Sequence, residues 1–233
     1  MAKIYLIPTT LGESKLESVL PSDHKNIIQA ITYFIVENVR TARRFLKLVD
    51  RNIDIDQLTF FELNKHTKAE EIARFIEPVK NGFDIGVISE AGCPGIADPG
   101  ADIVKIAHEK NIRVVPLVGP SSILLSLMAS GLNGQNFAFN GYLPIKEPAK
   151  SKAIKMLESR VYSENQSQLF IEAPYRNLQL FGDLVRNCDP KTLLCVAADI
   201  TLETEFILTK PVSYWRNHQP DIQKRPAIFI IGK

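Results

Sequence analysis

The sequence predicts an α/β fold built from two α/β domains of similar size. In the first part of the chain, short apolar runs alternate with segments whose apolar residues recur at helical spacing. This alternation is typical of a parallel sheet with right-handed crossovers. After Gly119-Pro120 the pattern begins with a helix and then becomes richer in strands. We therefore expect an N-terminal domain of residues 1–117 and a C-terminal domain of residues 118–233.

The predicted strands of the first domain are short apolar runs bounded by turn residues. They are Ile4–Ile7, Tyr33–Val36, Asp84–Ser89 and Arg113–Val118. The first ends at the turn signal Pro8–Gly12, and the second is aromatic and β-branched. Helices are predicted over Thr41–Val49, Ala69–Lys80 and Ala101–Lys110; in Ala69–Lys80, apolar residues recur every three to four positions.

The second domain is predicted to open with a helix over Ser121–Ala129. Its expected strands are Phe137–Tyr142, Gln168–Ile171, Leu193–Ala198, Glu205–Leu208 and Ala227–Ile231. One further helix is indicated because its apolar residues fit a single face, namely Leu178, Phe181, Leu184, Val185 and Cys188.

Composition excludes several classes of protein. Of 233 residues, 45% are hydrophobic and 23% are charged, which argues against a disordered or coiled-coil chain. The apolar stretches are too short to span a bilayer, and residues 1–8 are typical of a strand rather than of a signal peptide. We expect a cytoplasmic protein. Its formal charge of +2 indicates no polybasic arm, and its three dispersed cysteines indicate no metal site.

The segment Ser89–Gly100 is the richest candidate for chemistry. It follows a buried-type strand and holds three glycines and two prolines, which let a ligand approach a rigid main chain. The loops Pro8–Gly12 and Val118–Ser122 also follow strands, where ligands bind in open α/β sheets. The alternative is a plain strand-to-helix connection with Asp98 as a helix N-cap. None of the three loops contains a dinucleotide, P-loop or hydrolase fingerprint.

Ser89–Gly100 resembles the S-D-A-G-T-P-x-x-x-D-P-G signature of the ribosomal RNA small subunit methyltransferase I family, in the tetrapyrrole methylase superfamily. Further stretches resemble other motifs of that family in the same order: Ile4–Gly12 its P-T-P-I-G loop, Glu37–Arg40 its E-D-T-R, Arg113–Ser122 its R-V-V-P-x-P-G-P-x-A, Asn140–Pro144 its G-F-L-P, and Glu172–Arg176 its E-S-P-H-R.

This resemblance implies a homodimer that binds S-adenosyl-L-methionine in a cleft between its two domains and uses no metal. The residues that match donor-binding positions are Pro8, Gly92, Cys93, Ile96, Ala97, Ser121, Ser122, Ile171 and Ala227. The implied acceptor is a cytidine ribose 2′-hydroxyl in ribosomal RNA of the small subunit. Such an acceptor needs a general base or a polarising group, for which motif positions offer Glu90 first, then Glu37, Arg40 and Asp98.

Each of these assignments has an alternative. Glu90 is equally typical of a carboxylate that anchors its loop, and Glu37 with Arg40 of an ion pair at a helix start. Lysines 146, 150, 152 and 155 and arginines 40, 43 and 44 suit either phosphate contact or a solvated face. Tyr142, Tyr175 and Trp215 suit either base stacking or packing.

The chain also departs from the family pattern. Glu37-Asn38-Val39-Arg40 stands for E-D-T-R, and Pro226-Ala227 stands for the family's G-E, as in porphyrin-modifying relatives. Glu90 and Glu13 replace an aspartate and an asparagine, and the helical C-terminal extension of many members is not present in this sequence. Two other functions therefore stay open: a tetrapyrrole methyltransferase, or a donor-binding module without turnover.

Overall fold

The structure is a computed structural model that describes residues 2–64 and 67–233. The chain divides into two compact units, Met1–Ser121 and Ser122–Lys233. Each unit contains one five-stranded sheet with helices packed on it. The predicted α/β class is confirmed, and the division lies slightly after the boundary expected at residue 117.

The first unit has a sheet in the order β3-β2-β4-β1-β5, in which every pairing is parallel. Its strands are β1 (Lys3–Ile7), β2 (Tyr33–Val36), β3 (Thr59–Glu62), β4 (Ile85–Ile88) and β5 (Arg113–Pro116). Its helices are α1 (Leu16–Val19), α2 (His24–Gln29), α3 (Val39–Val49), α4 (Ala69–Phe75), α5 (Glu77–Lys80) and α6 (Gly100–Glu109), with a 3₁₀ turn at Ile55–Gln57.

Helices cover both faces of this sheet. Side chains alternate between the faces along each strand, so Phe34 joins one core and Ile35 joins the other. Helices α1, α2 and α3 pack on the face that contains Phe34, whereas α4 and α6 pack on the face that contains Ile35. The sheet is therefore doubly wound, as expected for a parallel sheet buried on both sides.

The connections that leave β1 and β4 run over opposite faces of the sheet, and this determines where the loops after these strands lie. The two strands are neighbours, but β1 leads across one face towards β2, while β4 leads across the other face towards β5. Neighbouring strands whose connections diverge in this way leave a crevice at their carboxyl ends. The loops Pro8–Gly12 and Ser89–Gly100 begin at that crevice.

The helices and strands predicted from sequence periodicity are only partly correct in this unit. The single helix predicted over Ala69–Lys80 is instead two helices, α4 and α5, with Ile76 between them. Pro78 is the physical reason, because it lacks an N–H and its ring conflicts with a helical carbonyl four residues earlier. Strand β3 and helices α1 and α2 were not predicted, because they are short and carry little periodicity.

The second unit has a mixed sheet in the order β6-β7-β10-β8-β9, in which only β6 and β7 are parallel among the described pairings. Its strands are β6 (Phe137–Tyr142), β7 (Ser167–Ile171), β8 (Leu193–Ala198), β9 (Phe206–Pro211) and β10 (Ala227–Gly232). Its helices are α7 (Ser122–Ser130), α8 (Ala149–Glu164), α9 (Asn177–Asn187) and α10 (Val212–Trp215), with a 3₁₀ turn at Pro174–Arg176.

Helix α9 has the predicted apolar face, with Leu180, Phe181 and Leu184 buried. Helix α8, the 16-residue helix after β6, was not predicted. Its buried stripe is Lys150, Ile154, Leu157 and Val161, and a lysine at the first position conceals the helical pattern.

Candidate functional site

The loops after β1 and β4 are joined directly to each other. The Thr9 N–H donates to the Gly92 carbonyl at 2.9 Å, and the Thr9 hydroxyl donates to the Ser89 carbonyl at 3.3 Å. The Ser89 hydroxyl also donates to the Gly92 carbonyl at 2.9 Å. Both Thr9 and Ser89 are buried. These bonds give the glycine-rich loop a fixed path at the edge of the sheet.

Gly92 lies where the glycine-rich loop comes close to the loops after β1 and β5. Its φ is +72°, and a Cβ there would lie 3.1 Å from the Leu11 side chain and 3.2 Å from the Pro120 carbonyl oxygen. A similar close approach joins the loops after β1 and β5, because a Cβ on Gly119 would lie only 2.2 Å from the Pro8 ring. The three strand-ending loops therefore meet at positions that require glycine.

Cys93 is tied to the loop after β5. Its Sγ lies 3.4 Å from the Pro120 carbonyl oxygen and 3.8 Å from that of Gly119. Burial raises the pKa of the Cys93 thiol, and the nearby Asp98 carboxylate raises it further. The neutral thiol is therefore favoured, and it suits a packing and hydrogen-bonding role rather than that of a nucleophile.

Asp98 holds the second half of the glycine-rich loop. Its Oδ1 accepts the N–H of Gly95 at 2.7 Å and the N–H of Gly100, the first residue of α6, at 2.8 Å. Burial raises the pKa of Asp98, although these two hydrogen bonds lower it in part. Between the two glycines, Ala97 adopts a φ of 61° and Ile96 is exposed. Asp98 thus anchors the loop and accepts the first N–H of α6, but the N-cap of α6 is Pro99 rather than Asp98, which the alternative interpretation expected there.

Among the described residues expected to be catalytic, Glu90 and Glu37 are in contact with each other, whereas Arg40 is not paired with Glu37. Thr41 of α3 donates its hydroxyl hydrogen bond to Glu90 Oε1 at 2.5 Å, and Glu37 Oε1 accepts the Glu90 N–H at 3.4 Å. Burial raises the pKa of Glu37; the Glu90 N–H opposes this, and the carboxylates of Asp98 and Glu90 reinforce it. Arg40 is exposed on the first turn of α3, and among the described residues it forms no ion pair with Glu37.

Two cavities of the first unit meet at Glu90. The larger, about 710 Å³, lies between the loop after β1 and helix α3, and Glu90 and Thr41 line it. The other, about 690 Å³, is lined by residues that include Glu37, Glu90, Ala97 and Asp98. Glu90 is therefore the carboxylate that faces both spaces.

The second unit brings two expected residues to one end of its sheet. Ile171 is the last residue of β7 and pairs in register with Ile228, so that it lies beside Ala227 at the start of β10. Ser122 is the first residue of α7 in the same unit, while Ser121 closes the first unit. The structure thus places Ile171 and Ala227 together.

Some residues that the sequence offered for RNA contact have other roles. Trp215 is 2% exposed, and its indole N–H donates to the Leu194 carbonyl at 2.9 Å, which excludes base stacking by Trp215. Lys150 is buried and forms an ion pair with Asp183 at 2.5 Å, so that it does not belong to an exposed basic cluster. Tyr142 and Tyr175 are exposed.

Sequence reasoning missed Thr9, Ser89 and Thr41 as parts of the site. Thr9 lies in the predicted loop Pro8–Gly12 and Ser89 is the last residue of the predicted strand Asp84–Ser89, so a hydroxyl residue at the carboxyl end of a predicted strand is a usable signal. Thr41 carried none, because its contact with Glu90 joins positions 49 residues apart. Among the described residues, no cluster of three or more side chains is suited to hold a metal ion, and no helix is long and apolar enough to cross a membrane.

Curated relatives share the family name that the motifs indicate. The chain is 26% identical over 232 residues to ribosomal RNA small subunit methyltransferase I of Escherichia coli O157:H7, covering 98% of the chain and 77% of that protein. Identity to the protein of the same name from Pseudomonas aeruginosa is 36% over 172 residues, covering 72% of the chain and 60% of the relative. These relatives support the resemblance of the chain to the ribosomal RNA small subunit methyltransferase I family. No protein-family model matches the sequence.

Two solved structures share the fold of this chain. The methyltransferase CobJ superposes with a TM-score of 0.67 at 14% identity, covering 100% of this chain and 95% of that one. Uroporphyrin III C-methyl transferase from Thermus thermophilus superposes with a TM-score of 0.58 at 16% identity, covering 100% of this chain and 98% of that one. At these identities the likeness concerns the fold.

Proposed function

We propose that this chain transfers the methyl group of S-adenosyl-L-methionine to a cytidine ribose 2′-hydroxyl in ribosomal RNA of the small subunit. One structural observation carries the proposal: the glycine-rich loop after β4 meets the loops after β1 and β5 so closely that a Cβ at Gly92 would lie 3.1 Å from Leu11 and 3.2 Å from Pro120. The family relatives named for ribosomal RNA methylation support this choice of acceptor.

The residues of the first unit fit such a donor. Pro8, Gly92, Cys93 and Ala97 offer backbone groups and small side chains at the crevice between β1 and β4. A neutral surface of this kind suits a zwitterionic ligand with an apolar body. Bound there, S-adenosyl-L-methionine supplies a methyl group already activated by its sulfonium. Ile96 and Ser121 are further candidates in this unit, and Ser122, Ile171 and Ala227 stay predictions for the second unit.

Glu90 is our candidate for the general base. A ribose hydroxyl must lose its proton as it becomes methylated, and Glu90 faces two cavities of the first unit. The Thr41 hydroxyl and the Glu37 carboxylate hold Glu90 from its side chain and from its backbone N–H. Glu37 therefore acts as a positioning residue. The exposed Arg40 is proposed to contact the phosphate backbone of the RNA.

Methyl incorporation tests this function. Small ribosomal subunits from a strain that lacks the cognate gene are incubated with labelled S-adenosyl-L-methionine, and the label is mapped. We expect it on a ribose oxygen, and we expect Glu90→Gln to lower the rate by about 100-fold or more while calorimetry shows unchanged donor binding. Donor binding without transfer to RNA would contradict the ribosomal acceptor, and tetrapyrrole precursors, suggested by the fold, would be tested next.

We also propose a cytoplasmic homodimer on the basis of the family resemblance. Sedimentation velocity of the purified chain at several concentrations tests the dimer, for which we expect twice the mass of one chain. Fractionation of cell extracts tests the location.

A further inference from the structure

The larger cavity of the first unit is lined in part by the loops proposed to bind the donor, including Thr9, Ser89 and Glu90. It has a volume of about 710 Å³ and lies between the loop after β1 and helix α3. Ligand cavities in proteins span roughly 300–1,000 Å³, so this one has room for a group larger than a water cluster. Its walls include apolar side chains, among them Leu11, Phe45 and Leu48. A flat aromatic ring would be accommodated there.

The cavity also carries a buried polar group that lacks a partner. Ser14 lines it, and the Ser14 hydroxyl oxygen is buried with no hydrogen-bond partner among the described residues. A buried hydroxyl without a partner is destabilising, because it has lost its hydrogen bonds to water. Such a group is expected where a ligand supplies the missing hydrogen bond.

The charges around this cavity match a nucleotide. Lys15 and Arg44 line it, and neither forms an ion pair with another described residue. Both are therefore available for phosphate oxygens. Glu13 supplies a carboxylate, which accepts a hydrogen bond from the exocyclic amine of cytosine. Phosphate and exocyclic amine occur together in one cytidine nucleotide.

We propose that this cavity receives the acceptor nucleotide, flipped out of an unpaired RNA segment, with its base among the apolar walls and its phosphates at Lys15 and Arg44. The proposal rests on the proposed function and deepens it by assigning the acceptor subsite. Glu90 faces this cavity as well as the smaller one, so that the proton of the bound ribose lies within reach of the candidate base. An unpaired RNA segment suits this arrangement, because its unstacked bases can be splayed out into a pocket.

A charge-removal experiment tests the subsite. We expect the double variant Lys15→Ala/Arg44→Ala to raise the KM for small subunits at least tenfold, with little change in kcat and an unchanged Kd for S-adenosyl-L-methionine. The matched control is Arg43→Ala on the same helix, because the Arg43 guanidinium lies over the Phe60 ring, 5.4 Å from its centroid, instead of lining the cavity. An equal KM in both variants, or a weakened donor Kd in the double variant, would overturn the proposal.

A binding readout separates this proposal from the proposed function. Cytidine 5′-monophosphate is titrated into the ¹⁵N-labelled full chain, and amide shifts are followed by NMR. We expect saturable shifts at Leu11, Ser14 and Arg44 that are lost in the double variant. Such shifts in a chain that methylates no RNA would support the subsite and contradict the proposed function. Methylation of RNA without these shifts would support the proposed function and contradict the proposed subsite.

Discussion

Gly92 is the residue at which backbone conformation and proposed donor binding depend on each other most closely. We predict that Gly92→Ala weakens binding of S-adenosyl-L-methionine at least tenfold, because the new Cβ meets Leu11 and Pro120 at 3.1 and 3.2 Å. The matched control is Gly131→Ala: Gly131 has the same φ of +72°, but a Cβ there meets nothing within 4 Å.

Both substitutions carry a conformational penalty of about 1–2 kcal/mol, because an L-residue disfavours the left-handed region. Urea unfolding measures that shared loss, and calorimetry measures donor affinity. Equal donor affinities in the two variants would show that the close approach at Gly92 does not shape the donor site.

Glu37 links the proposed site to stability. Its pKa is raised by burial, so the folded state retains a proton that the unfolded chain releases at lower pH. Stability should therefore fall as the pH rises from the unfolded pKa through the folded pKa. We predict that Glu37→Gln raises the Tm at pH 7 and that this gain disappears below pH 4. A variant that is less stable than the parent at pH 7 would contradict this sign.

Helices α8 and α9 are joined by a buried ion pair in the second unit. Lys150 and Asp183 are both buried, and Arg186 also contacts Asp183. We predict that Lys150→Met lowers the free energy of unfolding by about 3 kcal/mol, because it leaves a buried carboxylate with one partner. Urea unfolding followed by Trp215 fluorescence measures this loss.

Two further variants make this test specific. Exposed Lys152 on the same helix is the control, and we expect Lys152→Met to change stability by less than about 0.5 kcal/mol. The double variant Lys150→Met/Asp183→Leu should recover most of the loss, because it also removes the buried carboxylate. If Lys150→Met and Lys152→Met changed the free energy of unfolding by the same amount, the ion pair between Lys150 and Asp183 would have no structural role.

These elements also show which features can be predicted from sequence. The strands β1, β2 and β4 and the loops that follow them were predictable, because local apolar runs and glycine-rich motifs encode them. Helix α8 was missed because Lys150 occupies a buried position, and its partner Asp183 lies 33 residues away. Thr41 beside Glu90 and the burial of Trp215 were hidden for the same reason, since both depend on contacts between distant segments.

On the scale of the whole molecule, each unit has its own core. One core contains residues between Leu143 and Ile231, and the other two contain residues of the first unit. The core of the second unit includes Phe170, Phe229 and Trp215, and a chain of roughly 100 residues is long enough to fold as a domain. Its sheet is complete within Ser122–Lys233.

We therefore predict that a fragment of residues 122–233 folds on its own. Trp215 is the single tryptophan of the chain and is 2% exposed, so its fluorescence reports this core directly. The fragment should show blue-shifted emission and one cooperative urea transition that coincides with the loss of far-UV circular dichroism. Emission at the wavelength of free tryptophan before any urea is added would mean that the second core depends on the first unit.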